Sequence, residues 1–313
     1  MKNCINIKSN QNAKLYKLQG EKMKKFYITC LIFMSTLIAA EVDLTTDQCE
    51  ATNDISTEKV FTKDFSGTFN GQKLNYTASL KEKILYEKDN PKAELASFYY
   101  SEYIVSSDEN RPIMFIFNGG PGSASLWLHM GVLGPKIVKV PSDASDDGSP
   151  PYNIIDNNLS PLSETDMVFI DPIGTGYSRA LGCHDGEEFW GVNEDPKIIA
   201  EFIRRWITDN KRWNSPRYIL GESYGGIRGP LLVSELRSGD ITPIEINGLL
   251  MVAPASDYQY LVFHPGNNSP HYGFFPSYAA TAYYHGKVKT EKSLADFYNE
   301  SKKFSLEEYG PAL

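Results

Sequence analysis

The sequence predicts an α/β fold built on a mostly parallel central sheet, and three observations carry that prediction. First, four short apolar runs recur along the chain: Ile113 to Phe117, Met167 to Ile170, Tyr218 to Leu220 and Ile246 to Val252. Runs this continuously apolar suit parallel strands buried on both faces. Second, Pro196 to Trp213 separates the middle two, with Ile198, Ile199, Phe202, Ile203, Trp206 and Ile207 at helical spacing. Third, Ile227, Leu231, Leu232 and Leu236 resume helical spacing right after the third run. Strands alternating with helices bury their apolar faces best as a sheet covered by helices.

Taken in order, the elements begin after a leader. From Met23, Lys24 and Lys25 precede the apolar run Phe26 to Ile38, and Ala39 and Ala40 follow before Glu41 and Asp43. A charged start, a short apolar stretch and small residues form the layout of a secretory signal peptide over 23–40, too short for a comfortable membrane span. A secreted or periplasmic protein is therefore expected, with no stable membrane span once the signal is removed. A buried N-terminal helix is the competing reading. Residues 1–22 fit poorly ahead of such a signal and read as an upstream extension, with Met23 as the start of translation.

One large domain is expected over 41–313, since a chain of 313 residues with 41% apolar content can bury a large core. The formal net charge is −8, and losing residues 1–40 removes seven lysines and one glutamate. A chain that acidic is not suited to bind nucleic acid through bulk charge. After that removal Cys49 and Cys183 are the remaining cysteines, a pair that an oxidising compartment would allow to join. No Cys and His spacing resembles a metal site, so neither metal nor cofactor is expected.

Tyr76 to Tyr86 and Glu94 to Val105 carry strand-forming residues around the turn Lys88-Asp89-Asn90-Pro91, which predicts an antiparallel opening pair. Residues 140–153 are polar and turn-rich and read as a surface loop. Asp195 is placed to cap the helix that follows it. Beyond Pro254 aromatic residues crowd a stretch that also holds His264, His271 and His285.

The chemistry starts at Gly221-Glu222-Ser223-Tyr224-Gly225. A strand before it and a helix after it make the strand-turn-helix setting of a nucleophile elbow, where glycines permit a tight turn and the serine is pushed outward. The amide of Tyr224 would then face a developing oxyanion at a helix start. A second glycine-rich turn, Asn118-Gly119-Gly120-Pro121-Gly122-Ser123, follows the run Ile113 to Phe117. It sits where hydrolases of this architecture place the other half of an oxyanion hole. A phosphate-binding loop is the alternative, and the missing Gly-Lys-Ser/Thr disfavours it.

At these residues the chain resembles the serine carboxypeptidase family, which has the α/β-hydrolase fold. Asn-Gly-Gly-Pro-Gly at 118–122, Gly-Pro at 134–135, Asp-Pro-Ile-Gly-Thr-Gly-Tyr-Ser at 171–178 and Gly-Glu-Ser-Tyr-Gly-Gly at 221–226 match its motifs in order and approximate spacing. Their wording is nearer to bacterial members than to plant or fungal ones. The resemblance implies Ser223 as nucleophile, the amides of Gly120 and Tyr224 as oxyanion hole, and Asn118, the Gly119 amide and Glu222 as holders of a peptide's C-terminal carboxylate. A carboxylic acid beside a substrate carboxylate must carry a proton or repel it, so acidic working conditions are expected.

Three positions depart from the family pattern: Val132 stands where an acidic residue is usual, Ile116 where tryptophan is common, and Ser123 where cysteine is frequent. His129, three residues before Val132, is a candidate compensator or a structural histidine. The larger departure concerns the triad. In this fold the acid and base follow the nucleophile in that order, after later strands. Only Ile246 to Val252 reads as a strand after Ser223, and 258–313 reads as the start of a helical insertion, so the expected fold lacks the last strands and no triad Asp or His is identified. Asp257 with His264, His271 or His285 is a local substitute to be tested. The functions left open are a carboxypeptidase acting on peptide or protein C-termini that needs a missing C-terminal portion, a noncatalytic remnant binding the same ligands, and an esterase-type hydrolase.

Overall fold

The structure, a computed structural model, describes residues 57–105, 110–141, 145, 148–238 and 242–313. The expected signal peptide, the upstream extension and Cys49 lie outside the described residues. Cys183 is disulfide-bonded.

Strands β1 (Val60–Phe69), β2 (Gln72–Tyr86) and β3 (Glu94–Ile104) form an antiparallel meander. The first of them was not expected, because its side chains are mostly exposed and polar and give no apolar alternation to read. The signal that would have found it is Asn70-Gly71: with φ of 48° and 81° these two residues make the tight turn that joins antiparallel strands.

The four apolar runs become β4 (Ile113–Phe117), β7 (Asp166–Ile170), β9 (Arg217–Glu222) and β10 (Gly248–Val252). Between the first two, β5 (Lys136–Val138) and β6 (Ile154–Asp156), on either side of the expected loop 140–153, pair antiparallel as a separate ribbon. The two-residue β8 (Arg179–Ala180) pairs with β3. The main sheet runs β1-β2-β3-β7-β4-β9-β10, parallel from β7 onward and antiparallel before it. Every residue of β4 and β7 is buried, as continuous apolar runs require. The run ending in Val252 departs from that rule, since Leu250, Met251 and Val252 are all exposed. Among the described residues β10 pairs with β9 alone.

Alternate residues of β4 feed two cores. Ile113, Phe115 and Phe117 pack beneath α1 (Glu194–Asp209) and α2 (Gly225–Ser238), while Met114 and Ile116 face Leu128, Leu162 and Phe169 on the other side. The predicted stripe of α1 is buried throughout, with Ile199, Phe202, Ile203, Trp206 and Ile207 at 1% exposure or less. Each such side chain contributes about 1.5–3 kcal/mol of burial. Asp195 does not cap this helix; Asn193 occupies the cap position without a side-chain bond. The aromatic stretch folds as α3 (Ser269–Tyr284) and α4 (Leu294–Phe304), which meet through Phe275 against Phe304 and Tyr283 against Phe297.

This topology places a crevice. Strand β4 lies between β7 and β9, so the chain leaves the carboxyl ends of neighbouring parallel strands toward opposite sides of the sheet. Open α/β sheets bind ligands at such a switch point. The segments that leave β4, β7 and β9 there begin at Asn118, Asp171 and Ser223.

Candidate active site

Ser223 is held in a conformation that L-residues avoid, at φ 58°, between the end of β9 and the first turn of α2. Three backbone bonds hold it there. Its N–H donates to the Val252 carbonyl (3.0 Å), and its carbonyl accepts from Gly226 (2.8 Å) and Ala255 (2.9 Å). The glycines around it are close-approach residues. A Cβ on Gly221 would stand 2.5 Å from the Gly225 carbonyl oxygen, and one on Gly226 would run into Pro254. The strained serine and the small neighbours together have the geometry of a nucleophile elbow.

The turn after β4 packs directly against this elbow. A Cβ on Gly119 would collide with the Tyr224 amide nitrogen and lie 2.6 Å from the Glu222 carbonyl oxygen and 3.0 Å from Ser223 Cβ. Gly120 has φ 107°, which only glycine adopts without strain. Among the described residues, the N–H groups of Gly119, Gly120 and Tyr224 donate to no acceptor of the protein. Backbone donors this close together and left without partners have the geometry suited to an anionic oxygen.

Beside them, Asn118 is fully buried and its carboxamide has a fixed orientation. Its Oδ1 accepts from the Leu128 amide (3.0 Å), which turns Nδ2 to donate to Glu222 Oε2 (3.0 Å). The two residues stand 104 positions apart in the chain and meet at adjacent strand ends. All six expected site residues, Asn118, Gly119, Gly120, Glu222, Ser223 and Tyr224, therefore belong to two adjoining turns at the carboxyl ends of β4 and β9.

Two further groups hold these turns. Arg228, on the first turn of α2 and 1% exposed, donates from Nη1 to the Asn118 carbonyl (2.6 Å) and from Nη2 to the Pro121 carbonyl (3.2 Å). Its Nε pairs with Asp195 Oδ2 at 2.6 Å, and its guanidinium stacks over Phe117 and Tyr224. Burial pushes the Asp195 carboxyl up from its ordinary range, and the adjacent Arg228 charge pulls it back. On the other side, Asp171 Oδ1 accepts from the Ser125 amide (2.8 Å), and Ser125 Oγ bonds the Ile170 carbonyl. Burial raises the Asp171 pKa as well, against the opposing Ser125 bond. The motif at 171–178 was visible in the sequence, but its part in bracing the turn was not. Nothing local to Arg228 and Asp195 announced their pairing.

The departures from the family pattern resolve individually. Ile116 is a core residue of β4, Val132 is exposed, and Ser123 Oγ donates to its neighbour's carbonyl. His129 does not reach Glu222. It stacks on Phe169, and its Nε2 meets the Tyr103 hydroxyl at 2.6 Å; burial lowers its pKa to about 4. The stretch 129–133 is a single wide helical turn closed by Gly134 onto the His129 carbonyl, so the regular helix that would align His129 with Val132 is not formed.

The local acid and base are engaged elsewhere. Asp257 caps the Gln259 amide (2.8 Å), His264 Nδ1 meets the Pro265 carbonyl (3.1 Å), His271 packs edge-on against Phe263, and His285 against Tyr284. Among the described residues no histidine is hydrogen-bonded to Ser223. No cluster of His, Cys, Asp and Glu among those residues suits a metal ion. A cavity of about 270 Å³ opens behind the turn, with Pro121, Ile173, Phe189, Trp190, Asp195 and Arg228 in its wall, and Ser223 is not part of that wall. None of the six expected site residues lines that cavity.

Among the described residues no helix is long and apolar enough to cross a membrane. Two curated relatives from Arabidopsis thaliana, serine carboxypeptidase-like 2 and serine carboxypeptidase-like 5, are each 28% identical to this chain, over 53% and 54% of its length. Those alignments span 37% and 40% of the relatives themselves, so the chain matches less than half of their length. A solved prohormone-processing carboxypeptidase from Saccharomyces cerevisiae superposes with a TM-score of 0.46 at 18% identity, covering 72% of this chain and 53% of that one. The family description for serine carboxypeptidase matches residues 73–300, which include both turns, and the chain belongs to the serine carboxypeptidase family.

Proposed function

We propose that this chain carries the nucleophile and the carboxylate-recognition half of a secreted serine-type carboxypeptidase, which releases C-terminal residues from peptides through an acyl-enzyme on Ser223. The observation that carries the reading is the contact of the two turns. Glu222 and the Asn118 carboxamide stand hydrogen-bonded beside Ser223, and the amides of Gly119, Gly120 and Tyr224 are without acceptors among the described residues.

In this reading the terminal carboxylate of the substrate takes the Gly119 amide, the Asn118 carboxamide and a proton shared with Glu222. That places the scissile carbonyl over Ser223 Oγ, where its oxygen meets the Gly120 and Tyr224 amides as it gains charge. Attack forms the Oγ–C bond and breaks the C–N bond, and the leaving amino acid takes up a proton. A base must remove the Ser223 proton and deliver it there. No histidine performs that task among the described residues, so residues beyond them would supply it. Loss of a triad member costs about 10⁴ to 10⁶ in kcat.

The same observation favours a second reading, a binding module for peptide C-termini without turnover. The family match weighs against the esterase-type alternative. Labelling with a fluorophosphonate separates the two that remain. The enzyme reading requires Ser223 to react once a polypeptide bearing the missing acid and base is supplied, and the binding module requires no labelling under any condition. Failure of the wild-type chain to prefer a peptide acid over the matching peptide amide would refute both.

A further inference from the structure

We infer that Arg228, locked by Asp195, is the positioning residue of the turn 118–121, setting the Asn118 carboxamide and the Gly119 and Gly120 amides against Glu222 and the Tyr224 amide. The inference rests on the proposed role of those groups and assigns that role's mechanical support to a pair outside the expected site.

Gly119 and Gly120 have no side chains to anchor them, and their own amides must stay available to a ligand. The turn can therefore be held only through its carbonyls and its flanks. Arg228 takes the carbonyls on both sides of the two glycines, those of Asn118 and Pro121, with the two arms of one planar group. The same guanidinium lies over the rings of Phe117, which leads into the turn, and Tyr224, which supplies the facing amide. Its own position is fixed twice: its backbone N–H bonds the Tyr224 carbonyl (3.0 Å), and its Nε bonds Asp195 on α1. One rigid fork thus touches both halves of the donor pair and ties them to the helix layer.

A planar fork with several donors does what an ammonium cannot, because three acceptors in one plane need fixed directions. Lysine at this place keeps the charge beside Asp195 and loses at least one carbonyl. The pair is almost wholly buried and meets open space only at the wall of the cavity behind the turn, while the hydrogen bonds of its fork run to the turn's carbonyls.

The test compares the wild-type full chain with Arg228→Lys and Asp195→Asn, after cooperative urea unfolding confirms that each variant is folded. Two quantities are read: hydrogen-exchange protection of the Ser123 amide, which bonds the Gly119 carbonyl at 3.0 Å, and binding of one N-blocked tripeptide as free acid and as amide. Displacing a donor by a fraction of an ångström weakens oriented recognition on the order of 10- to 100-fold. The inference expects Arg228→Lys to lose acid affinity by about that factor with amide affinity unchanged, and Ser123 protection to fall while Phe115 and Ile219 in the sheet keep theirs. A uniform loss across the sheet, or Ser123 protection equal to wild type, overturns it.

If the wild-type chain itself shows no preference for the acid, the proposed function falls and the exchange data alone decide the inference, by the same two outcomes. If Arg228→Lys does not fold, Asp195→Asn carries the test: it leaves the fork in place but unlocked, and must reduce Ser123 protection in the same direction.

Discussion

Replacing His129 tests how burial of one ionisable group shapes this protein's response to acid. The imidazole is sandwiched between Phe169 and the Tyr103 hydroxyl, and desolvation lowers its pKa from 6.5 to about 4. Tyr103 stays a neutral phenol, its own pKa raised to about 12 by burial. A lowered pKa means that the folded chain disfavours the proton that the unfolded chain accepts readily. The contribution is fully present above pH 6.5, is lost as pH falls, and levels off below about 4, where both states are protonated. At one pKa unit per 1.36 kcal/mol, the loss relative to pH 8 is about 2 kcal/mol at pH 5 and about 3 kcal/mol at pH 4. His129→Gln keeps a polar partner for Tyr103 and removes the titration. Urea unfolding from pH 8 to pH 4 should then show wild type losing about 2 kcal/mol more than the variant by pH 5. A wild-type-to-variant difference that is flat across this range, or a directly titrated His129 pKa at 6.5 or above, refutes the reasoning. The result bears on function, because a working pH near 5 would place this protein where that loss is felt.

Other expectations follow from single contacts. Gly119→Ala sets a methyl against the Tyr224 amide and Ser223 Cβ, so the preference for a peptide acid over its amide should fall by about 10-fold or more in calorimetric titration. Asp166 is fully buried and pairs with both Arg111 and Arg212 at 2.9 Å, so Asp166→Ala should cost about 3–5 kcal/mol in urea unfolding by removing the carboxylate that two guanidinium groups share. The exposed apolar face Leu250–Val252, on a strand paired on one side among the described residues, should promote association. Met251→Lys should lower the average mass seen by sedimentation, and an unchanged mass would clear this edge.

The sequence by itself determined what local pattern can encode. The continuous apolar runs of β4 and β7 reported strands buried on both faces, the spacing of Ile198 to Ile207 reported the covered face of α1, and Gly-x-Ser-x-Gly between a strand and a helix reported the elbow at Ser223. Each of these depends on residues within one turn or one strand of each other. Asn70-Gly71 was equally local, and the strand before it was missed because its exposed side chains carry no burial signal. What only the tertiary structure decided are the meetings of distant segments. Asn118 and Glu222, 104 residues apart, touch because β4 and β9 are neighbours in register. Asp195 left its expected cap position because a buried guanidinium from α2 lies within reach, and a buried charge requires a partner more than a helix end requires a cap. His129 turned inward to Phe169 and Tyr103 and not toward Glu222 because its segment forms one wide turn in place of a regular helix. No short-range pattern records which strand ends lie side by side; the packing of the sheet sets that, and the two turns acquire their chemistry there.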